Sequence, residues 1–199
     1  MVTIMSIKAG LSSFTHDESY SYLEYIQDSF MDILSYRNSY TNNHILNSLG
    51  MKYSEMIFGS SEWSLRLPNL LAMMVYLVFG YKILNKSVSP LFVLLGFTLL
   101  LSNGGVIQLF GVARGYGLSF GFMLMAIYYL ISYLQNYKLK EVYWFHFAMV
   151  LAVLSNFNMV TVYVALMGVF NGYVILKSVF LGEPFSKALF RNKVHIIPV

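Results

Sequence analysis

Cysteine is absent from all 199 residues, proline occurs four times, and only 11% of the chain is charged. The first absence excludes a disulfide framework and any thiolate metal site. The scarcity of charge excludes an ordinary soluble domain, in which roughly a quarter of the residues are charged and about half are apolar. Here 57% are hydrophobic. Basic runs are missing as well: the net charge of +4 is spread between apolar segments and leaves no footprint for nucleic acid. Residues 1–10 do not read as a secretory signal, because Lys8 follows a weakly apolar stretch far shorter than the core of such a leader.

What is present comes in blocks. Residues 1–66 carry most of the acids, and residues 67–180 are almost continuously apolar. A hydrocarbon core of about 30 Å takes roughly 20 helical residues. Five stretches meet or approach that length: 67–84, 90–110, 116–134, 142–154 and 159–180. The fourth is short unless it begins near Lys138 or runs past Ser155, and "SNFN" separates it from the fifth. One helix over 142–180 would exceed what a bilayer accommodates even with tilt. The expected fold class is all-α integral membrane, a multi-span helical bundle of about five spans over residues 67–181. Residues 1–66 form an outer segment, and residues 182–199 form a cytoplasmic-side tail that is expected to be truncated.

Orientation follows from the bias of short loops toward Lys and Arg on the cytoplasmic side. If five spans alternate, Lys82, Lys86, Lys138, Lys140, Lys177, Lys187, Arg191 and Lys193 share one side. The other side receives five basic residues but seven of the nine acids. This puts residues 1–66, 102–114 and 155–158 outside, in a periplasm, lumen or exterior, and the lysine-rich loops in the cytoplasm. Within the outer segment, Tyr22, Tyr25, Ile26, Phe30, Ile33 and Leu34 recur at helical spacing opposite an acidic stripe of Glu24, Asp28 and Asp32. A second amphipathic helix is expected over 43–58, broken by Gly59. Ser61 is placed to cap the helix that leads into the first span. Amphipathic helices of this kind lie in the membrane interface.

The chemistry-bearing residues are few. Thr15-His16-Asp17-Glu18 fits a capping box, with Thr15 as N-cap and Glu18 at the third helical position, which leaves Asp17 without a structural task. A carboxylate at the outer face of a membrane can serve as general base or as a metal ligand. His44, in "TNNHILNSL", reads as a capping or packing residue or as a ligand. Arg114, in "FGVARGYGLSF", sits at the outer mouth of the third span. It reads either as an interfacial snorkelling residue or as a phosphate-binding guanidinium. Arg66 has the same two readings. Gly117 and Gly121 stand at GxxxG spacing, a sign of close helix packing. His146 and His195 receive no role.

The order of these pieces resembles the GT-C superfamily of integral-membrane glycosyltransferases, in the branch of protein O-mannosyltransferases and aminoarabinose transferases. The resembling parts are "HDESYSY", "NNHILNSL", "FGSSEWSLRLPNLL" and "VARGYGLSFGFMLMAIYYLI", in that order over residues 14–131. The resemblance implies transfer of a sugar from a polyprenyl-phosphate donor to an acceptor on the outer side of the membrane. It implies that Asp17, with Glu18 beside it, is the catalytic carboxylate, acting on the acceptor or helping to hold a divalent metal ion together with His44. His44 and Arg114 would bind substrate, Arg114 at the donor phosphate, and Arg66 is a further substrate-binding candidate through its own phosphate-binding reading. Implied partners are the lipid bilayer and the lipid-linked sugar, with further spans or subunits, since relatives have a span before the acidic loop and about twice as many spans in all. The competing expectation is a non-enzymatic multi-span membrane protein, a transporter piece or an assembly subunit. A transporter should place ionisable or helix-breaking residues mid-span, where this chain offers only His146 and some glycines.

Overall fold

A computed structural model of the chain describes residues 1–37, 43–86, 89–182 and 184. His195 and the basic residues of the expected tail lie outside the described residues. Those described are helical, without a strand. In chain order the helices are α1 (Val2–Leu11), α2 (His16–Ser21), α3 (Phe30–Leu34), α4 (Ile45–Phe58), α5 (Glu62–Leu84), α6 (Pro90–Ser102), α7 (Gly104–Leu109), α8 (Tyr116–Asn136), α9 (Leu139–Ser155) and α10 (Met159–Leu181). By length and apolarity α5, α8 and α10 can each cross a membrane, so the chain is an all-α integral membrane protein.

Three boundaries differ from the periodicity reading. The expected second span over 90–110 is not one helix: it divides at Asn103, whose Oδ1 accepts the Val106 N–H at 3.2 Å and starts α7 afresh. The first amphipathic stretch is also divided. A π-helical turn over Tyr22–Ile26 follows α2, and Ser29 caps α3 by accepting the Asp32 N–H. Lys52 of α4 holds this break, donating to the carbonyls of Ile26 and Asp28 at 2.6 and 2.8 Å. Side-chain periodicity cannot register carbonyls withdrawn from a helix by a distant lysine. Finally α1, which sequence periodicity did not reveal, lies along α5, with Trp63 Nε1 donating to Ser6 Oγ at 2.8 Å.

The bundle is centred on α8, which packs extensively on α5 and α9. Close approach to α5 uses the GxxxG pair as expected. A Cβ on Gly121 would lie 2.8 Å from the Ala72 carbonyl oxygen, and one on Gly117 would lie 2.8 Å from Asn69 Oδ1. One apolar cluster joins Met5, Leu70, Met73, Tyr76 and Phe110 between α1, α5, α7 and α8. A second joins Leu130, Phe145, Met149 and Phe170 between α8, α9 and α10. His146, in the middle of α9, is bonded through Nδ1 to the Tyr163 hydroxyl of α10 at 2.7 Å, which gives a polar atom within the bundle its partner.

The helix ends sort into two groups. At one end, Lys86 Nζ donates to Gln135 Oε1 at 2.9 Å and Lys177 Nζ lies 3.6 Å above the Tyr137 ring. These are residues that the lysine bias assigns to one side. At the opposite end the starts of α5 and α8 and the close of α9 meet the short helices of the outer segment. The candidate site is there.

Candidate functional site

The site begins with a local capping problem. The first turn of α2 has backbone N–H groups without intrahelical partners. Thr15 Oγ1 accepts the Glu18 N–H and the Glu18 carboxylate accepts the Thr15 N–H at 2.9 Å, so the predicted capping box is present. Glu18 does more than cap. Fully buried, its Oε1 accepts from Arg66 Nε and from the Ala113 N–H, each at 2.7 Å, and its Oε2 accepts from Arg66 Nη2 at 2.9 Å. Burial alone pushes this carboxyl up, but the Arg66 bond, the two backbone N–H bonds and the Arg66 charge outweigh it and hold the group below the usual carboxylate value. Glu18 is therefore ionised and fully engaged.

Arg66 is engaged as completely. Only 1% exposed, it also donates through Nη1 to the carbonyls of Ala9 and Ser12 at 2.7 Å and through Nη2 to that of Ser13 at 3.1 Å. Its five N–H groups all serve the protein, and its guanidinium lies 5.2 Å from the Phe14 ring centre. The resemblance assigns Glu18 a place beside the catalytic carboxylate, and the sequence reading makes Arg66 a snorkelling or a phosphate-binding residue. Both are instead spent on a clamp that ties α1, α2 and α5 to the segment before α8.

That clamp brings the remaining residues together. Because Glu18 binds the backbone of Ala113, the neighbours Asp17 and Arg114 face each other: Arg114 Nη2 lies 2.8 Å from Asp17 Oδ2. Both side chains are about one-third exposed, unlike those of the Glu18–Arg66 pair. Arg114 also lies 5.2 Å from the ring centre of Tyr116, whose other neighbour is the His44 ring at 5.8 Å. His44 is the N-cap residue of α4, 7% exposed, and its Nδ1 has no hydrogen-bond partner among the described residues. Burial first, and then the Arg114 charge, lower its pKa to about 4, so it is neutral at physiological pH. Asp17, Arg114, Tyr116 and His44 are thus neighbours in turn, and the Glu18–Arg66 pair fixes the backbone beside Asp17 and Arg114.

Sequence reasoning missed the second support. Asn47 Nδ2 donates to the Ala113 carbonyl at 3.0 Å, Asn69 Nδ2 donates to Asn47 Oδ1 at 2.8 Å, and Asn69 Oδ1 accepts the Leu118 N–H at 3.1 Å. Ala113 is held by its N–H from one side and by its carbonyl from the other. The only trace in sequence is the Asn in "HILNSL" and the Asn in "RLPN", and no spacing rule pairs residues on separate helices. Gly115 was also missed. It adopts φ +73°, and a Cβ there would lie 2.2 Å from the Ser155 carbonyl oxygen and 3.1 Å from His44 Cβ. Gly115→Ala should therefore destabilise the protein by about 1–3 kcal/mol more than Gly182→Ala. Gly182 has a similar φ of +61° and no described atom within 4 Å of such a Cβ, so it isolates the backbone contribution. Equal losses in thermal unfolding of the two variants would contradict the close packing at residue 115.

The neutral state of His44 gives a second test. Above about pH 6.5 both folded and unfolded chains hold the imidazole neutral. As pH falls from 6.5 toward 4 only the unfolded chain takes up the proton, so stability is lost over that window, by up to about 3 kcal/mol for this group. Unfolding curves should show that acid limb in the wild type and a flatter one in His44→Gln. Identical slopes would mean that His44 titrates normally.

Metal binding was expected at Asp17 and His44. Among the described residues no three His, Asp or Glu side chains converge on a common point. Asp17 faces the Arg114 guanidinium.

What the arrangement offers is one carboxylate, one phosphate-compatible guanidinium and one neutral imidazole at the mouth of a membrane helix bundle. The family model for dolichyl-phosphate-mannose-protein mannosyltransferase matches residues 46–189, which include Arg66 and Arg114 but begin after Asp17 and His44. No curated protein and no solved structure matches the chain. With more than half of its length matched, and with its motifs in the order of the GT-C resemblance, the chain belongs to the dolichyl-phosphate-mannose-protein mannosyltransferase family and so to the membrane glycosyltransferases.

Proposed function

We propose that the chain transfers a sugar from a polyprenyl-phosphate donor to an acceptor hydroxyl on the outer face of the membrane, with Asp17 as general base and Arg114 on the donor phosphate. The observation that carries this reading is the Asp17–Arg114 pair, a base and an anion receptor 2.8 Å apart and partly exposed beside a buried clamp. In this reading the acceptor oxygen attacks the anomeric carbon as the bond from that carbon to the phosphate oxygen breaks. The hydroxyl proton passes to Asp17, and the electron pair leaves with the lipid phosphate, whose charge Arg114 stabilises. Attack opposite the leaving group inverts the anomeric centre.

His44 presents a neutral ring nitrogen suited to a sugar or acceptor hydroxyl. The Glu18–Arg66 clamp acts only by fixing the backbones of its neighbours. The outward placement of the site rests on the lysine bias, which puts Lys82, Lys86, Lys138 and Lys177 at the opposite end of the bundle. The test is sugar transfer by Asp17→Asn and Arg114→Gln in the membrane-inserted protein. Loss in both, with insertion unchanged, supports the reading, and undiminished transfer by Asp17→Asn overturns it.

A further inference from the structure

We propose that the Asp17–Arg114 pair is a donor-operated latch, closed in the unliganded protein and opened when the donor phosphate takes Arg114, so that donor binds before acceptor. This inference rests on the reading of Arg114 as the phosphate receptor. Its basis is that the two groups required to act on different substrates are here engaged with each other. Asp17 is the only acceptor on the Arg114 guanidinium among the described residues. The neighbouring imidazole of His44 is neutral and supplies no second positive charge.

A phosphodiester arriving at this guanidinium brings a second anion to a single cation. Carboxylate and phosphate then repel across a few ångströms, and the cost is least when the carboxylate swings away. Several features let it swing while the site stays intact. The Asp17 side chain is about one-third exposed, and its backbone is pinned by the capping box and by Glu18. Arg114 is held by the Ala113 backbone on one side and the Gly115 turn on the other, so it remains in place to receive the phosphate. Opening therefore needs no helix to move. The displaced carboxylate is then available to take the acceptor proton, which makes activation of the acceptor conditional on a loaded donor.

The experiment measures binding of polyprenyl monophosphate to the full chain in lipid nanodiscs, for wild type, Asp17→Asn, Arg114→Gln and the double variant, with thermal unfolding of each sample as the check on folding. A partly exposed ion pair contributes up to about 1 kcal/mol, so removing the competitor in Asp17→Asn should tighten binding by up to about fivefold. Arg114→Gln should weaken binding by about tenfold or more. In the Arg114→Gln background Asp17→Asn should then give no gain. If Asp17→Asn binds no tighter than wild type while Arg114→Gln binds weakly, the latch is wrong and the donor reading stands. A gain that persists without Arg114 reflects loss of a negative charge alone and also overturns the latch. Unchanged binding by Arg114→Gln removes the donor reading together with the latch.

Discussion

Replacing Arg66 by leucine should unfold the outer half of the molecule, at a cost of about 3–5 kcal/mol, because it strands a buried carboxylate. Glu18 is fully buried, and without Arg66 it would keep only the N–H groups of Thr15 and Ala113. The carbonyls of Ala9, Ser12 and Ser13 would lose their donors at the same time. Glu18→Gln should do comparable damage, since a carboxamide cannot accept from both Arg66 and the two backbone N–H groups. Thermal unfolding and limited proteolysis of the purified protein would read both. Arg66→Lys is the informative conservative change: one ammonium cannot reproduce five directed N–H groups, so most of the loss should remain. An Arg66→Leu protein that unfolds like the wild type and loses only ligand affinity would return Arg66 to the phosphate-binding reading that its sequence position allows.

Asp17→Asn, one residue away, should have the opposite profile. Removing a general base lowers turnover by about 10²–10⁴-fold. Stability should barely change, because the ion pair it breaks is about one-third exposed and such pairs contribute at most about 1 kcal/mol. The contrast between adjacent acids follows from helix geometry. Successive residues on a helix point about 100° apart, so when Glu18 faces the Arg66 core Asp17 must face outward. Measuring sugar transfer and unfolding on the same preparations separates the two. A stable, inactive Asp17→Asn beside an unstable Glu18→Gln is the expected result. Full transfer by Asp17→Asn would remove the base, and an unfolded Asp17→Asn would make the residue structural.

Much of this was legible in the sequence because the controlling interactions are local or compositional. Apolar blocks announced a helical membrane protein, since a chain in lipid must satisfy its backbone internally. The capping box at Thr15 and Glu18, the cap at Ser61 and the glycine spacing at Gly117 and Gly121 are all defined within a few residues, and each is present. The break at Asn103 is local too, but an apolar run hides it: hydropathy counts length and does not see one side chain restarting a helix.

The sequence by itself determined the fold class, the helix starts and the small set of residues with chemistry to offer. Tertiary structure alone decided which of them are available. Arg66 and Arg114 look alike in sequence, each a lone arginine beside a span, yet one is buried with every donor committed and the other meets a carboxylate at an open mouth. The physical reason is that a guanidinium's role depends on where its acceptors lie. Glu18, Ala9, Ser12 and Ser13 are 48 to 57 residues from Arg66 along the chain. No local pattern carries contacts at that distance. Only the packing of α1, α2 and α5 brings them to one point.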